Sequence, residues 1–150
     1  MIPRSSGKTA LIVCILASVF MFRPEEVSST GTGGPATGYA HPELLVSTGE
    51  LASILGDPKL VVIDVRPEKD FLAGHIRGAL NLEWTDFTET EGPKYWQLLP
   101  VPEIERRLGE AGVGNEGRIV VYGDVKNGWG EDGRLFWMFS YLGRKDVRVL

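Results

Sequence analysis

Apolar residues come in short uninterrupted runs from Leu44 onward, and polar or glycine-containing turns separate these runs. LVVIDV, which begins at Leu60, and RIVVYG, which begins at Arg118, are apolar at successive positions. Strands that are buried on both faces have this pattern, so the two runs predict central strands of a parallel sheet. The shorter runs LLVS, GALNL and VRVL predict three more strands, which gives a five-stranded sheet.

Helical patterns lie between the predicted strands. Ser47 and Glu50 have capping-box spacing ahead of ELASIL, and Gly56 follows as a helix stop. In PVPEIERRLGEAG, Ile104 and Leu108 fall on one stripe, while charged residues occupy most of the remaining surface. Strands that alternate with helices predict an α/β domain with an open, mainly parallel sheet and helices on both faces.

A further helix is predicted over DGRLFWMFSYLG, and its apolar surface extends around much of its circumference. One stripe is formed by Leu135, Met138, Phe139 and Leu142. Three aromatic side chains widen this stripe: Phe136, Trp137 and Tyr141. Such a helix is expected to be buried on more than one side. Two interpretations stay open, because either the domain's own elements or a second domain could cover the wider surface.

The first 22 residues have the pattern of an export signal. Arg4 and Lys8 precede an uncharged apolar run that ends at Phe22, and this order is typical of a signal peptide or a short signal anchor. Cys14 lies within the run. Its position could indicate a lipid-modified cysteine, but Val13 stands where a small residue is needed, so we interpret Cys14 as an apolar residue of the leader.

The remaining chain divides by composition into a linker and a domain. Residues 23–43 are rich in Gly, Ser, Thr and Pro and have no apolar period, which predicts a flexible linker. Residues 44–150 carry all the predicted strands and helices and are therefore expected to form the folded domain. We expect export to the periplasm, with the membrane contacted only through the leader.

Charge and cysteine content exclude several classes of function. The formal net charge of −4 provides no basic surface for a phosphate backbone, so no nucleic-acid partner is expected. The single cysteine cannot form an internal disulfide. His41 and His75 are few and far apart, and neither a metal site nor a cofactor is predicted.

The chemistry-bearing residues concentrate in and after the first long strand. Asp64 and Arg66 follow its apolar core, at the end where open α/β sheets place ligand crevices. We interpret them as an ion pair that fixes the turn rather than as direct ligand contacts. Gly74 and Gly78 suit tight turns. His75 is interpreted as a hydrogen-bonded structural histidine, because no serine or cysteine partner for a general base can be identified.

These residues carry a family resemblance. VVIDVRPEKDFLAGHIRGALNLEW, then RIVVYGD and RLFWMFSYLGRKDVRVL, resemble the rhodanese (thiosulfate sulfurtransferase) family from about Leu44 to the last residue. The most specific part is D-x-R, an aromatic residue and G-H-I-x-G-A, in this order. The resemblance implies a parallel five-stranded sheet flanked by helices, in agreement with the pattern of apolar runs.

The resemblance also implies a reaction that this chain lacks the residue to perform. Members of the family carry a cysteine in the loop after the fourth strand, where its thiolate takes the outer sulfur of a donor as a persulfide and passes it to an acceptor. Asp124 stands at that position, in the loop GDVKNGWGEDGR. The acidic residues Asp124, Glu131 and Asp132 would also repel an anionic donor. The resemblance therefore predicts no catalytic residue in this chain.

Tandem members of the family suggest why the cysteine is absent. Their first domain typically has Asp at this position, and the second domain is catalytic. We therefore expect a second rhodanese domain of the same polypeptide as partner, and a small sulfur-containing anion as ligand. Because family members continue into a closing helix, we also expect the protein to extend beyond Leu150. A stand-alone binding module remains the alternative, whereas a phosphatase or arsenate reductase on this fold would need the same cysteine.

Overall fold

The computed structural model of the chain describes residues 38–150. The predicted leader, Cys14 and most of the predicted linker lie outside the described residues. Within the described part, no helix is both long enough and apolar enough to cross a bilayer. The helices and strands are α1 (Thr48–Ile54), β1 (Leu60–Asp64), α2 (Glu68–Ala73), β2 (Leu80–Asn81), α3 (Val101–Glu110), β3 (Arg118–Tyr122), α4 (Glu131–Tyr141) and β4 (Val147–Val149). Short 3-10 helices cover Pro42–Leu44, Trp84–Phe87 and Gly92–Lys94.

The strands form one parallel sheet in the order β2-β1-β3-β4. The two long apolar runs become its centre, with Leu60 opposite Arg118 and Asp64 opposite Tyr122. Alternate side chains of these strands enter two separate clusters. Ile63 and Val121 pack with residues of α3 and α4, whereas Val62 and Val120 pack with residues of α1 and with Phe71 of α2. The prediction of a parallel sheet with helices on both faces is therefore confirmed.

The predicted number of strands is wrong, because residues 38–150 contain four strands rather than five. The run LLVS contributes a single parallel bridge, between Leu45 and Val149, at the β4 edge of the sheet. A 3-10 helix ends at Leu44, and Ser47 already caps α1 by accepting a hydrogen bond from the backbone N–H of Glu50. Three residues separate the two helices, and of these only Leu45 pairs with β4, so the run forms an isolated bridge rather than a strand.

The turn after β1 also differs from the prediction. Sequence analysis placed only a turn fixed by Asp64 and Arg66 here and predicted no helix, but the charged residues that follow form α2. Pro67 precedes the helix, and Glu68 and Asp70 lie in its first turn. Negative charge at this end interacts favourably with the backbone N–H groups that have no partner within the helix, which explains why a charged segment is helical here.

Helix α4 has the predicted apolar stripe. Leu135, Met138 and Phe139 are buried against the sheet. Trp137 and Tyr141, by contrast, are 54% and 61% exposed, and their rings stack on each other at 5.8 Å. The domain's own elements therefore leave these two rings uncovered, and the interpretation that they cover the whole helix is wrong.

Candidate functional site

A crevice opens at the carboxyl ends of β1 and β3. The chain leaves β1 to form β2 on one side of it and returns as β3 on the other side, so the loops after β1 and β3 diverge here. Ligand crevices of open α/β sheets lie at such reversals of strand order. The crevice has a volume of about 440 Å³ and is lined by Arg66, Asp70, Ala73, Gly74, Asp124 and Asn127.

Asp64 and Arg66 form an ion pair at the base of this edge. The Asp64 side chain is fully buried, and the Arg66 guanidinium donates from Nη2 to Oδ2 at 2.7 Å and from Nε to Oδ1 at 2.9 Å. The backbone N–H of Arg66 also donates to Oδ1. Arg66 Nη2 donates to the carbonyl of Gly74 at 2.7 Å, so the pair joins the end of β1 to the end of α2.

The charges of this pair are fixed by its surroundings. Burial acts to raise the pKa of Asp64, but hydrogen bonds from Arg66 and Tyr122 outweigh it and hold that pKa below its usual value. The hydrogen bond with Asp64 raises the pKa of Arg66. Burial, together with the neighbouring Asp64, raises the pKa of Tyr122 to about 12. At neutral pH the edge therefore holds a carboxylate, a guanidinium and a neutral phenol.

Tyr122 and Asn81 belong to the same network, although sequence analysis did not single them out. The Tyr122 hydroxyl accepts a hydrogen bond from the backbone N–H of Ile76 at 3.0 Å, and its ring lies 5.7 Å from the Arg66 guanidinium. Asn81 donates to the backbone carbonyls of Asp64 and Arg66. Both residues end strands that neighbour β1, and this is a weak signal that could have identified them.

The remaining motif residues shape the segment that follows α2. Gly78 has φ +82° in a turn closed by the hydrogen bond from Ala79 N–H to the Ile76 carbonyl, and glycine adopts this backbone without strain. The His75 ring stacks on Phe71 at 3.8 Å. His75 Nδ1 lies 2.9 Å from the Phe71 carbonyl, which requires that nitrogen to carry the proton. Both contacts hold the His75 imidazole against Phe71, four residues earlier in the chain.

Asp124 lies two residues after β3, and its carboxylate binds the loop that it begins. Oδ1 accepts hydrogen bonds from the backbone N–H groups of Lys126 and Asn127, at 2.8 and 3.1 Å. Oδ2 accepts from the Asn127 amide at 2.9 Å. The Asn127 side chain and these two N–H groups lower the pKa of Asp124. The loop therefore provides the partners of its own carboxylate.

The charge of the crevice is predominantly negative. Asp70 and Asp124 line it, and Glu131 lines the adjoining part of the same edge. Arg66 is the basic residue among these lining groups, and its charge is already paired with Asp64. An oxyanion in this crevice would face more carboxylate than guanidinium. Among residues 38–150 no three His, Cys, Asp or Glu side chains are grouped so that they could hold a metal ion.

Comparison with known proteins identifies the family. The family model of the rhodanese-like domain matches residues 47–150, which include the whole sheet and the crevice. This chain belongs to the rhodanese-like domain family. The resemblance stated from the DVRP and GHIRGA segments is thereby confirmed.

Relatives of this rhodanese-like chain are sulfurtransferases and a sulfur carrier. The chain is 38% identical over 117 residues to the sulfur carrier protein TtuD of Thermus thermophilus, which covers 75% of this chain and 39% of TtuD. It is 30% identical to the thiosulfate sulfurtransferase SseA of Mycobacterium tuberculosis, described as putative, over 75% of this chain and 37% of that protein. It thus spans about two fifths of the length of these curated relatives.

Solved structures include the same fold. The 3-mercaptopyruvate sulfotransferase SseA of Escherichia coli superposes with a TM-score of 0.60 at 25% identity, over 72% of this chain and 40% of that chain. Here too the match covers about two fifths of the longer protein.

Proposed function

We propose that this chain is the non-catalytic rhodanese-like domain of an exported sulfurtransferase that moves sulfur from a thiosulfate-type donor to a thiol or cyanide acceptor. In this proposal Asp124 occupies the position of the family's loop cysteine. A second, cysteine-bearing domain performs the reaction. The observation that carries the proposal is the Asp124 carboxylate, which is held by hydrogen bonds from the loop where a reactive thiolate would be needed.

Sulfur chemistry supports this assignment. A persulfide needs a sulfur atom as nucleophile, and the one cysteine of the chain, Cys14, precedes the residues that match the family. A carboxylate oxygen cannot form the sulfur–sulfur bond that stores the transferred atom. Residues 47–150 therefore have the family's scaffold without a group that could carry sulfur.

The hydrogen bonds of the loop support the same conclusion. Four successive backbone N–H groups already have partners: Lys126 and Asn127 on the Asp124 carboxylate, Gly128 on the Asp124 carbonyl, and Trp129 on the Glu131 carboxylate. Backbone N–H groups of such a loop would otherwise be available to stabilise an anionic sulfur. An incoming donor would have to displace two carboxylates that belong to the protein.

Sulfur transfer by the 150-residue chain tests the proposal. We expect no thiocyanate from thiosulfate and cyanide above a heat-inactivated control, with a thiosulfate sulfurtransferase relative assayed in parallel as the positive control. Thiocyanate production above background by the purified chain would contradict the assignment.

Restoring a thiol tests whether the loop itself is unsuited to the reaction. Asp124→Cys introduces the missing nucleophile but leaves Glu131 and Asp132 unchanged. We expect no useful turnover, because the flanking carboxylates disfavour both the thiolate and an anionic donor. Asp124→Ser is the matched control for a substitution without a thiol. Sustained turnover by the cysteine variant would show that one substitution had silenced the domain.

Export is a separate part of the proposal and is supported by the basic and apolar pattern of residues 1–22. A fusion of residues 1–39 to a reporter that is active only outside the cytoplasm tests it. We expect reporter activity, and replacement of Arg4 and Lys8 by glutamate should reduce that activity. A fusion that remains in the cytoplasm, and is therefore inactive, would contradict the proposed export.

A stand-alone binding module is the second candidate, and the exposed aromatic rings of α4 favour it as much as they favour a tandem protein. The two candidates differ in the natural polypeptide. The intact mass of the natural gene product distinguishes them, because the tandem protein requires a second domain with a cysteine loop.

A further inference from the structure

A group of exposed aromatic side chains lies beside the crevice. We call it the aromatic face, and it consists of Tyr95, Trp96, Trp129, Trp137 and Tyr141. Each of these side chains is between 44% and 61% exposed. They come from three parts of the chain: the loop before α3, the loop that begins at Asp124, and α4. Scattered exposed apolar residues are normal on a protein surface, but a connected group of this size needs an explanation.

The rings of the aromatic face are connected to one another. Tyr95 lies 5.3 Å from Trp96, and Trp96 lies 6.2 Å from Trp129. Trp129 and Trp137 line one depression of about 370 Å³ together with Arg134. The stack of Trp137 on Tyr141 extends the surface along α4. The five rings therefore form one continuous surface.

Several contacts hold this surface in place from below. The Arg134 guanidinium lies 4.7 Å from the Trp84 ring and donates to the carbonyl of Trp96 at 2.8 Å. Trp84 in turn meets Trp129 edge-on at 5.3 Å. Trp96 has φ +70°, a conformation that non-glycine residues seldom adopt and that is retained mainly where the surroundings impose it. Rings that are already fixed lose little conformational entropy when a partner binds.

The extent of the aromatic face matches a protein partner better than a small molecule. An aromatic side chain offers about 150–250 Å², so five half-exposed rings present about 400–600 Å². This is about the size of the largest apolar patch on a typical monomer, and such patches are often functional. A stable protein interface buries about 800 Å² on each partner, with Trp and Tyr enriched in its centre.

We propose that the aromatic face is the docking surface for a cysteine-bearing rhodanese-like domain. This inference rests on the proposed function, which requires such a domain, and it names the surface that receives it. Trp129 belongs to the loop that begins at Asp124, so a domain seated on the face lies beside the crevice. The relatives are more than twice as long as the part that this chain matches, so each has enough further residues to form a second domain.

The charges next to the aromatic face define what the partner presents. The Glu131 carboxylate accepts a hydrogen bond from Trp129 N–H, so this negative charge adjoins the face. Asp124 and Asp132 lie in the same loop or directly after it. A partner with an apolar centre and Lys or Arg at its rim complements this surface.

Binding in trans tests the inference with the 150-residue chain. The probe is the part of the Thermus relative that lies outside the match, which the inference requires to hold a rhodanese-like domain with a loop cysteine. Circular dichroism and thiosulfate turnover first establish that the probe is folded and active. Fluorescence anisotropy of the labelled probe is then measured against wild-type chain, the Trp137→Ala/Tyr141→Ala variant, and the Leu72→Ala control. Leu72 is an apolar residue on α2 that is 72% exposed, more than either ring of the double variant.

We expect saturable binding of the wild-type chain, a Kd weakened at least about tenfold by the double substitution, and a Kd unchanged within about twofold by Leu72→Ala. Equal urea midpoints of all three chains would show that the weaker binding is not caused by unfolding of the variant. Three outcomes overturn the inference: no binding at micromolar concentration, binding that the double substitution leaves intact, or self-association of the wild-type chain through the same face in sedimentation. Sulfur transfer by the chain alone would instead contradict the proposed function, so the two failures are distinguishable.

Discussion

Asp64 and Asp124 lie at the carboxyl ends of the two central strands, yet their surroundings differ. Asp64 is fully buried and is held by the guanidinium of Arg66, two residues later in the chain. Asp124 is exposed and is held by backbone N–H groups of the residues that follow it. Both carboxylates are stabilised as anions, and the pKa of each is lowered. The same charge is therefore held in a buried environment in one case and in an exposed loop in the other.

This difference indicates which residue can change without loss of the fold. Removing Asp64 leaves the Arg66 charge and several donors at a buried edge without their partner. Removing Asp124 frees N–H groups that face solvent and can bind water instead. The residue that follows the end of β3 can therefore be replaced without loss of the fold, whereas the ion pair at the end of β1 mainly stabilises the fold.

The largest expected effect comes from removing the buried carboxylate. Asp64→Ala should lower the free energy of unfolding by roughly 3 kcal/mol, because it breaks a buried pair and leaves Arg66 uncompensated. Asp124→Ala is the matched control and should cost only about 0.5–1 kcal/mol, as for the loss of an exposed helix cap. Urea denaturation followed by circular dichroism measures both. Equal losses would remove the distinction between the two aspartates.

A smaller effect is expected from crowding the Asp124 loop. A Cβ atom at Gly128 would lie 2.4 Å from the Asp124 carbonyl oxygen and 2.7 Å from a Glu131 carboxylate oxygen. Gly128→Ala should therefore cost about 1–3 kcal/mol through displacement of the loop. Gly133 in α4 has no atom within 4 Å of its Cβ position, so Gly133→Ala should be neutral or stabilising by up to about 1 kcal/mol. Thermal unfolding compares the pair, and a stable Gly128→Ala variant would mean that the loop is not held as described.

The phenol beside Asp64 is expected to contribute less. Tyr122→Phe removes the acceptor of the Ile76 N–H and should cost about 1 kcal/mol. Tyr141→Phe, on the exposed surface of α4, is the control and should change the free energy of unfolding by less than about 0.5 kcal/mol. Urea midpoints at neutral pH provide the measurement. If both variants matched wild type, the hydroxyl of Tyr122 would have no measurable structural role.

The smallest effect is a difference in the response to acid. The folded pKa of Asp64 lies below the usual value of 3.8, so its contribution to stability is complete above the unfolded pKa and is lost as the pH falls through the folded pKa. Asp64→Asn has no such titration. The stability difference between wild type and Asp64→Asn should therefore be constant near neutral pH and shrink below about pH 4. A difference that grows in acid would reverse the sign of this linkage.

Much of the fold could be predicted because its signals are local. LVVIDV and RIVVY each combine an apolar run with a turn on either side, and this pattern is sufficient to indicate central parallel strands. The strand predicted at LLVS did not form, because the C-cap of one helix and the N-cap of the next occupy the same few residues. Helix α2 was missed because its helical tendency depends on charges at its first turn rather than on apolar period.

The site was predictable only in part because its contacts are distant in sequence. Asp64 and Arg66 are two residues apart, so their pairing can be inferred from the motif. The Tyr122 hydroxyl reaches Ile76 across 46 positions, and Asn81 reaches Asp64 across 17, and no periodicity encodes either contact. The aromatic face was anticipated only at Trp137 and Tyr141, because its other rings meet through the packing of separate loops.

The placement of the tryptophans decides what spectroscopy of this protein reports. All four tryptophans lie in the loop after β2, in the loop after β3 or on α4, and none lies in a strand. Three of them have ring centroids 4.9–6.2 Å apart, close enough for their electronic transitions to couple. Intrinsic fluorescence during unfolding therefore reports the loss of contacts among these tryptophans. Their coupled transitions also contribute to the circular dichroism spectrum, together with the helices. Fluorescence and circular dichroism can therefore give different unfolding midpoints for the same chain, because they follow different parts of the molecule.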